Sequence, residues 1–266
     1  MARNTSFIKI EGTLEGLTFY KQDGKNLVRS AGGVSKDRIM TDPKYKRTRE
    51  NMMEFGGSAS AGKGFRTAFS GVVKKLGDSR ISSRLSKVMH RILDMDSGAR
   101  GERPVAISDH TVQLKNFEFN VKCAFSSRFY APFAAPVVNA NRDSVTWTIP
   151  PFNPDFSVTA PEGATHFRLL LASGLVSNYE YESATKGYSP TDEEYDGKGL
   201  ISYSGHIPLN SETASDTVLT VDFAIGSALP LEVTNVVAGG IIFYQELGST
   251  FYELASDNAL KVLTLA

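Results

Sequence analysis

Residues 57–64 have the residue types and spacing of a loop that binds phosphate. The run Gly57-Ser58-Ala59-Ser60-Ala61-Gly62-Lys63 places its glycines and lysine at the intervals of a nucleotide-binding loop. In such loops a serine or threonine follows the lysine and holds Mg²⁺, but Gly64 stands there, and the preceding segment is patterned as a helix and not as a strand. The pattern therefore favours a flexible segment or a small-residue helix crossing over a nucleotide site.

Other residues that could carry chemistry do not form a recognisable catalytic or metal site. Cys123 lies in a predicted strand, and its neighbours on the same face of that strand are apolar. This is typical of a packed thiol and not of a nucleophile. No histidine has a second ligand at metal-binding spacing. The histidines are His90, His110, His166 and His206. We therefore expect a protein that is not an enzyme, with no cofactor and no metal.

A run of carboxylates occupies residues 192–196. Asp192, Glu193, Glu194 and Asp196 could hold a hard cation, but their spacing differs from that of a calcium-binding EF-hand loop. Charge runs of this kind usually face solvent. The run therefore predicts an acidic surface loop that could meet a basic surface.

Basic residues recur at helical spacing between positions 80 and 91. Arg80, Arg84, Lys87 and Arg91 stand at i, i+4, i+7 and i+11, so they line one edge of a helix, away from its apolar face. Like charges stacked in this way repel one another unless an anionic surface meets them. That surface could be nucleic-acid phosphate or the acidic loop of another copy, and an ordinary solvated helix face remains equally open.

The basic stripe requires a helical hairpin to position it. Asp42 and Pro43 predict the start of a helix over residues 43–55, and the glycines of 56–62 weaken or interrupt it. Apolar residues then repeat every three to four positions in two stretches, which predicts helices over 63–76 and from 78 or 79 onward, separated by Gly77. The repeating residues are Phe65, Phe69, Val72, Val73 and Leu76, then Ile81, Leu85, Val88, Met89, Ile92 and Leu93.

The first 33 residues predict a small sheet or extended arm. Residues 7–10, 17–20 and 26–29 are β-prone, and Asp23-Gly24 suits a two-residue hairpin turn. An arm that carries Phe7, Ile8 and Ile10 could add to the sheet edge of a neighbouring molecule. We therefore include these three residues in a candidate interface, with the basic stripe and the acidic run.

After Pro104 the apolar period changes from 3.6 to 2. Alternating residues predict a half-buried strand over 117–125, and further short strands are separated by turn residues. The further strands are 144–149, 166–172, 200–206, 218–225, 236–244, 250–254 and 260–265. The spacing predicts an antiparallel sandwich. Trp147, followed by Pro150-Pro151, resembles the core aromatic of fibronectin type III-like sandwiches, which implies a fold and no activity.

Four segments near the start of the chain carry a further resemblance. They are residues 6–12, 16–21, 32–35 and 42–55. Together they resemble the opening of an uncharacterised protein family encoded in Bacteroidota genomes. The resemblance implies a helical segment followed by a β-sandwich, and it implies no activity, cofactor or site residue.

Charge is distributed unevenly along the chain, although the formal net charge is zero. Residues 1–103 hold 21 Lys+Arg against 11 Asp+Glu, and residues 104–266 hold 8 against 18. The two parts therefore carry opposite charges of ten, which favours a polyanionic partner or head-to-tail contact between copies. No stretch has the roughly 20 apolar residues of a membrane span. The lone cysteine and the absence of a secretory pattern after Arg3 predict cytoplasmic synthesis, with lysis or an injection system as routes out.

Taken together, these patterns predict an α+β, mainly β protein. We expect a β-hairpin arm over 1–39, a helical segment with the αα-hairpin over 40–103 and an Ig-like or fibronectin III-like antiparallel sandwich over 104–266. The function they favour is a self-assembling structural protein, a subunit of a tube, filament, sheath or phage-like particle, with itself as partner. The alternative is a nucleic-acid-binding protein that uses the basic helical hairpin. Against this alternative stand the acidic C-terminal half and the lack of aromatic residues between the stripe residues.

Overall fold

The chain is α+β and mainly β, and it folds into two compact units. The structure is a computed structural model that describes residues 2–5, 9–30 and 32–266. The first unit extends to Arg49 and the second comprises Glu50–Ala266. The second unit holds the predicted sandwich segment together with residues 50–103 of the predicted helical segment.

The N-terminal unit is built on a four-stranded antiparallel sheet. The strands pair in the order β1-β4-β3-β2, and a short helix follows them. Their bounds are β1 Ala2–Arg3, β2 Gly12–Leu14, β3 Leu17–Gln22, β4 Lys25–Ser30 and α1 Lys36–Thr41. The predicted turn between β3 and β4 is confirmed: Asp23 and Gly24 have φ values of 50° and 74°, as a two-residue hairpin turn requires. The predicted strand at 7–10 falls partly outside the described residues.

No described residue of the N-terminal unit is buried. Register places Leu14 opposite Leu17 and Phe19 opposite Val28, so these four side chains share one face of the sheet. Leu14 is 57% exposed and Leu17 is 44% exposed. The unit therefore has an apolar face without a core of its own behind it.

Three helices precede the strands of the second unit. Their bounds are α2 Lys46–Ala68, whose first residues are counted with the first unit, α3 Ser70–Leu76 and α4 Ile81–Asp94. The prediction that the glycines of 56–62 weaken or interrupt the helix is wrong, because α2 continues through them without a break. The chain bends instead at Phe69, which leaves helical geometry with φ −102° and ψ 20°. The predicted helix that ends at Gly77 is thus divided into two.

Close packing explains why glycines stand inside α2. A Cβ on Gly57 would lie 2.8 Å from the Tyr188 ring, and a Cβ on Gly64 would collide with the Tyr179 hydroxyl. Glycine lowers helix propensity by about 1 kcal/mol per residue, but here tertiary packing outweighs that cost. The expectation of a small-residue crossing agrees with this packing.

The remaining strands form a six-stranded sheet, a three-stranded sheet and a separate hairpin. The large sheet has the order β10-β7-β13-β14, with β11 on β7 and β15 on β13; the small sheet has the order β12-β6-β5; and β8 pairs with β9. All these pairings are antiparallel. The bounds are β5 Val137–Val138, β6 Ser144–Ile149, α5 Pro154–Ser157, β7 His166–Ser177, β8 Tyr179–Glu182, β9 Gly187–Pro190, β10 Gly199–Tyr203, β11 Ile207–Pro208, β12 Thr217–Asp222, β13 Val233–Leu247, β14 Thr250–Glu253 and β15 Ala259–Leu265.

The large sheet is buried on both faces. On one face Leu170 of β7 and Ile242 of β13 pack with the apolar sides of α2, α3 and α4. On the other face Leu169 and Ile241 pack with Trp147 of the small sheet. The second unit is therefore layered as helices, large sheet and small sheet, and burial on both faces explains why β7 and β13 are nearly continuous apolar runs.

The predicted strand over 117–125 is wrong. Phe117 and Phe119 join the core under the helices, whereas Cys123 and Phe125 join the core between the sheets, and Val121 between the two pairs is 60% exposed. The segment is irregular apart from a bridge between Glu118 and β15. An alternating pattern arises here because the chain passes around the sheet edge and supplies two apolar anchors to each of two cores.

Candidate functional site

The basic stripe lies along α4, but its four residues do not have the same environment. Lys87 and Arg91 are exposed on the helix, and Arg80 is exposed immediately before its first residue. Arg84 is only partly accessible and points toward the loop that follows the helices. The stripe therefore provides fewer open cations than its spacing predicts.

Arg84 is used within the chain. Its Nη1 donates to the carbonyl of Glu118 at 2.7 Å, and its Nη2 donates to the carbonyl of Phe119 at 2.8 Å and to Asp78 Oδ2 at 2.7 Å. The guanidinium also lies 4.8 Å from the centre of the Phe117 ring. Arg84 thus fastens α4 to residues 117–119, which corrects its predicted place on an open basic edge.

Asp78 completes this junction. Its Oδ1 accepts a hydrogen bond from the Arg80 N–H and its Oδ2 accepts one from the Val121 N–H. Burial would raise the pKa of Asp78, but these backbone hydrogen bonds and the nearby Arg84 guanidinium hold it below its usual value. The carboxylate is therefore charged, and its hydrogen bonds join the end of α3 to α4 and to the following loop.

A groove between α2 and α4 gathers three accessible cations. It has a volume of about 580 Å³, and it is lined by basic, hydroxyl and apolar side chains from both helices. The lining residues are Phe55, Ala59 and Arg66 of α2 and Ser82, Ser83, Ser86, Lys87, His90 and Arg91 of α4. No carboxylate stands among them. Arg66 and Phe55 are parts of this site that the sequence pattern did not indicate, because α2 has no clear polar and apolar sides.

The cations of the groove differ from several other arginines of the second unit. Among the described residues, Arg66, Lys87 and Arg91 have no carboxylate or carbonyl partner, whereas several arginines elsewhere in the unit are anchored. The anchored ones include Arg84, Arg103, Arg128, Arg142 and Arg168. The groove therefore brings together three cations that no carboxylate or carbonyl oxygen of the described residues compensates.

A buried ion pair lies beside the groove and fixes α2 to the segment after α4. Arg103 donates from Nε to Glu54 Oε1 at 2.8 Å and from Nη2 to Glu54 Oε2 at 2.9 Å, and the Gly101 N–H also donates to Glu54. Burial opposes ionisation of Glu54, but the bonds from Arg103 and Gly101 hold its pKa below the usual value. Such a bidentate, fully bonded pair positions the walls of the groove.

Ser58, His90 and Asp94 lie in a row that superficially resembles a hydrolytic triad. The Ser58 hydroxyl is 3.3 Å from His90 Nδ1, and His90 Nε2 is 3.8 Å from Asp94 Oδ2. However, Ser58 is completely buried, and its hydroxyl donates to the Glu54 carbonyl one helical turn earlier at 2.8 Å. A substrate has no access to that oxygen, so the row serves to join α2 to α4.

Part of the acidic run is also bonded to other groups of the same chain. Asp196 accepts hydrogen bonds from the Tyr179 hydroxyl at 2.6 Å and the Ser177 N–H at 3.0 Å, and burial raises the pKa of Asp196. Asp192 Oδ1 accepts a hydrogen bond from the Tyr195 N–H, and Glu194 Oε1 lies 3.9 Å from Lys198 Nζ. Glu193 is exposed. The run is therefore mainly a structured loop and not an open row of carboxylates.

The remaining candidates have ordinary environments. Cys123 is buried and accepts a hydrogen bond from Arg128 Nε at 3.3 Å. Within the described residues no group of three or more His, Cys, Asp or Glu could hold a metal ion, and no described helix has the length and apolar character needed to cross a bilayer. Ile10 of the predicted arm is 43% exposed, and Phe7 and Ile8 lie outside the described residues.

No protein-family model, curated protein or solved structure matches this chain. Membership of the Bacteroidota family suggested by the N-terminal segments stays a prediction.

Proposed function

We propose that this chain is a non-enzymatic, self-assembling structural protein, a subunit of a tube, filament, sheath or phage-like particle. The observation that carries the proposal is the apolar face of the N-terminal sheet, formed by Leu14, Leu17, Phe19 and Val28. A sheet gains independent stability when one face is buried, and this unit contributes no buried described residue of its own. The occupant to which we assign this face is a second copy of the chain.

Charge complementarity favours a second copy as the occupant. The first unit, residues 1–49, carries 11 Lys+Arg against 5 Asp+Glu, a net charge of +6, and residues 50–266 carry 18 against 24, a net charge of −6. A basic unit that meets the acidic unit of a neighbour makes a head-to-tail contact, and such contacts propagate when they do not close into a ring. The apolar face supplies affinity and the charges supply orientation.

Two substitutions on β3 test the proposal. Leu17→Asp places a charge on the apolar face, and Thr18→Asp places the same charge on the opposite face of the same strand. We expect Leu17→Asp to weaken association about tenfold or more, because burying one large aliphatic side chain contributes roughly 1.5–3 kcal/mol. Thr18→Asp should associate like the unchanged protein.

Sedimentation velocity over a range of concentration and salt, with negative-stain microscopy, is the measurement. Association that weakens partly as salt rises, and that Leu17→Asp disrupts selectively, supports the proposal. A protein that stays monomeric under all these conditions would overturn it, as would equal effects of the two substitutions. If the face is instead covered by the chain's own second unit, Leu17→Asp will lower stability without changing the sedimentation of a monomer.

A further inference from the structure

We propose that the groove between α2 and α4 is a binding site for single-stranded nucleic acid. Its cations Arg66, Lys87 and Arg91 would contact phosphates, and Phe55 would stack on a base. The inference is independent of self-assembly through the N-terminal sheet. Either one can fail while the other holds.

Positive charge in the groove is not compensated by neighbouring side chains that the structure describes. Arg66 lies on α2, and Lys87 and Arg91 lie one turn apart on α4, so three cations converge on the groove from two sides. None has an anionic partner among the described residues, and no carboxylate lines the groove. Phosphate groups are the anions that such a basic row binds with release of counterions.

The groove also has the hydroxyl groups that phosphate recognition uses. Ser82, Ser83 and Ser86 of α4 line the same space as the cations. Serine hydroxyls donate to phosphate oxygens, and these contacts fix position without reading sequence. The combination of hydroxyls and cations favours phosphate oxygens over an apolar ligand.

An aromatic side chain completes the site. Phe55 is 64% exposed at the groove and comes from α2, not from the helix that bears the stripe. Proteins that bind single strands combine a basic groove with aromatic rings on which bases stack. The neighbouring helix therefore supplies the aromatic ring that the basic stripe lacks. The groove has a volume of about 580 Å³, which lies within the range of small-ligand pockets.

An acidic protein segment is the competing occupant, and the acidic run of this chain suits the role poorly. Asp196 and Asp192 already accept hydrogen bonds within their loop, and Glu194 lies near Lys198. Few carboxylates remain there to neutralise three cations. A base that stacks on Phe55 also requires an unstacked nucleotide, which favours a single strand over a duplex.

Fluorescence anisotropy with a labelled oligothymidylate tests the proposal. In the unchanged protein we expect binding at low salt that falls steeply as salt rises. The double variant Arg66→Gln, Arg91→Gln should lower the salt slope by about 1.4, at about 0.7 for each lost single-strand phosphate contact. Phe55→Ala should weaken binding about tenfold at constant salt.

Matched controls separate the groove from general basicity. Lys74→Gln removes a cation from the exposed surface of α3, outside the groove, and should leave affinity unchanged. Unlabelled thymidine monophosphate, inorganic phosphate, duplex DNA and poly-glutamate serve as competitors. Selective competition by the single strand, with losses confined to groove variants, supports the inference.

Other outcomes overturn it. The proposal fails if no oligonucleotide binds at low salt, or if Lys74→Gln costs as much affinity as the double groove variant. The groove would be assigned to an acidic protein segment if poly-glutamate competed as well as the single strand and Phe55→Ala left the affinity unchanged. Binding of the free nucleotide as tight as that of the oligonucleotide would assign it to a small ligand.

Discussion

Basic residues on the same edge of α4 differ in whether they are bonded within the chain or accessible. Arg84 is bound to two backbone carbonyls and to Asp78, whereas Lys87 and Arg91 are open to the groove. Helical spacing predicts which residues share an edge of the helix, because that depends only on the 3.6-residue period. It cannot predict which of them meets a loop more than 30 residues further along the chain.

The role of Arg84 leads to a stability prediction. Arg84→Gln should lower the free energy of unfolding by about 2 kcal/mol, because it removes charge-assisted hydrogen bonds and leaves Asp78 without its cation. Lys87→Gln, on the same helix, should change it by less than about 0.5 kcal/mol. Urea unfolding followed by the fluorescence of Trp147, the single tryptophan and fully buried, measures both. Equal effects of the two substitutions would contradict the assignment of Arg84 to the junction.

At the scale of elements, the glycine-containing helix α2 is held by what packs against it. Gly64 lies against the Tyr179 hydroxyl and the Asp196 carboxylate, whereas a Cβ on Gly56 would meet nothing within 4 Å. Gly64→Ala should therefore destabilise the protein by about 2 kcal/mol or more through overpacking. Gly56→Ala should stabilise it by about 0.5–1 kcal/mol, because alanine is the better helix former. Thermal unfolding followed by circular dichroism compares the two, and a neutral Gly64→Ala would show that the crossing is not tight.

The sequence predicts elements well where their burial is one-sided and local, and poorly where two cores share a segment. The strand 144–149, the α4 helix and the Asp23-Gly24 turn are confirmed because their period and turn chemistry are local. Residues 117–125 imitate a strand because Phe117 and Phe119 anchor one core and Cys123 and Phe125 anchor the other, so apolar residues stand at every second position within each pair. The pairing of β8 with β9 was missed, because Tyr179–Glu182 and Gly187–Pro190 lack clear alternation of apolar residues.

The candidate site was only half predictable for the same reason. Lys87 and Arg91 follow from helical spacing, but Phe55 and Arg66 belong to a helix whose residues show no segregated faces. Their approach to α4 depends on the contact of Gly62 with Leu85 and Ser86 across the two helices. Such a crossing is a tertiary property, and no local pattern encodes it.

At the scale of the whole molecule, the two units differ in how their backbone is protected. Strands β7 and β13 are covered on both faces, whereas β3 and β4 contain no buried residue. Amide hydrogens exchange through local opening where few apolar contacts resist it. In dilute protein, hydrogen exchange measured by mass spectrometry should therefore be faster in β3 and β4 than in β7 and β13 by several orders of magnitude. Similar protection in the two units would mean that something already covers the N-terminal sheet.

The position of β13 between β7 and β15 has a consequence for how the protein is made. Residues 233–247 form the centre of the large sheet, with β7 from residues 166–177 on one side and β15 from residues 259–265 on the other. Until β13 and β15 have left the ribosome, α2, α3, α4 and β7 lack the central strand that completes the core on both faces of the sheet. The hairpins of the first unit join neighbouring residues, so they can form while translation continues. The second unit can instead complete its folding only once residue 265 has emerged, and until then it is the part of the nascent polypeptide most exposed to aggregation.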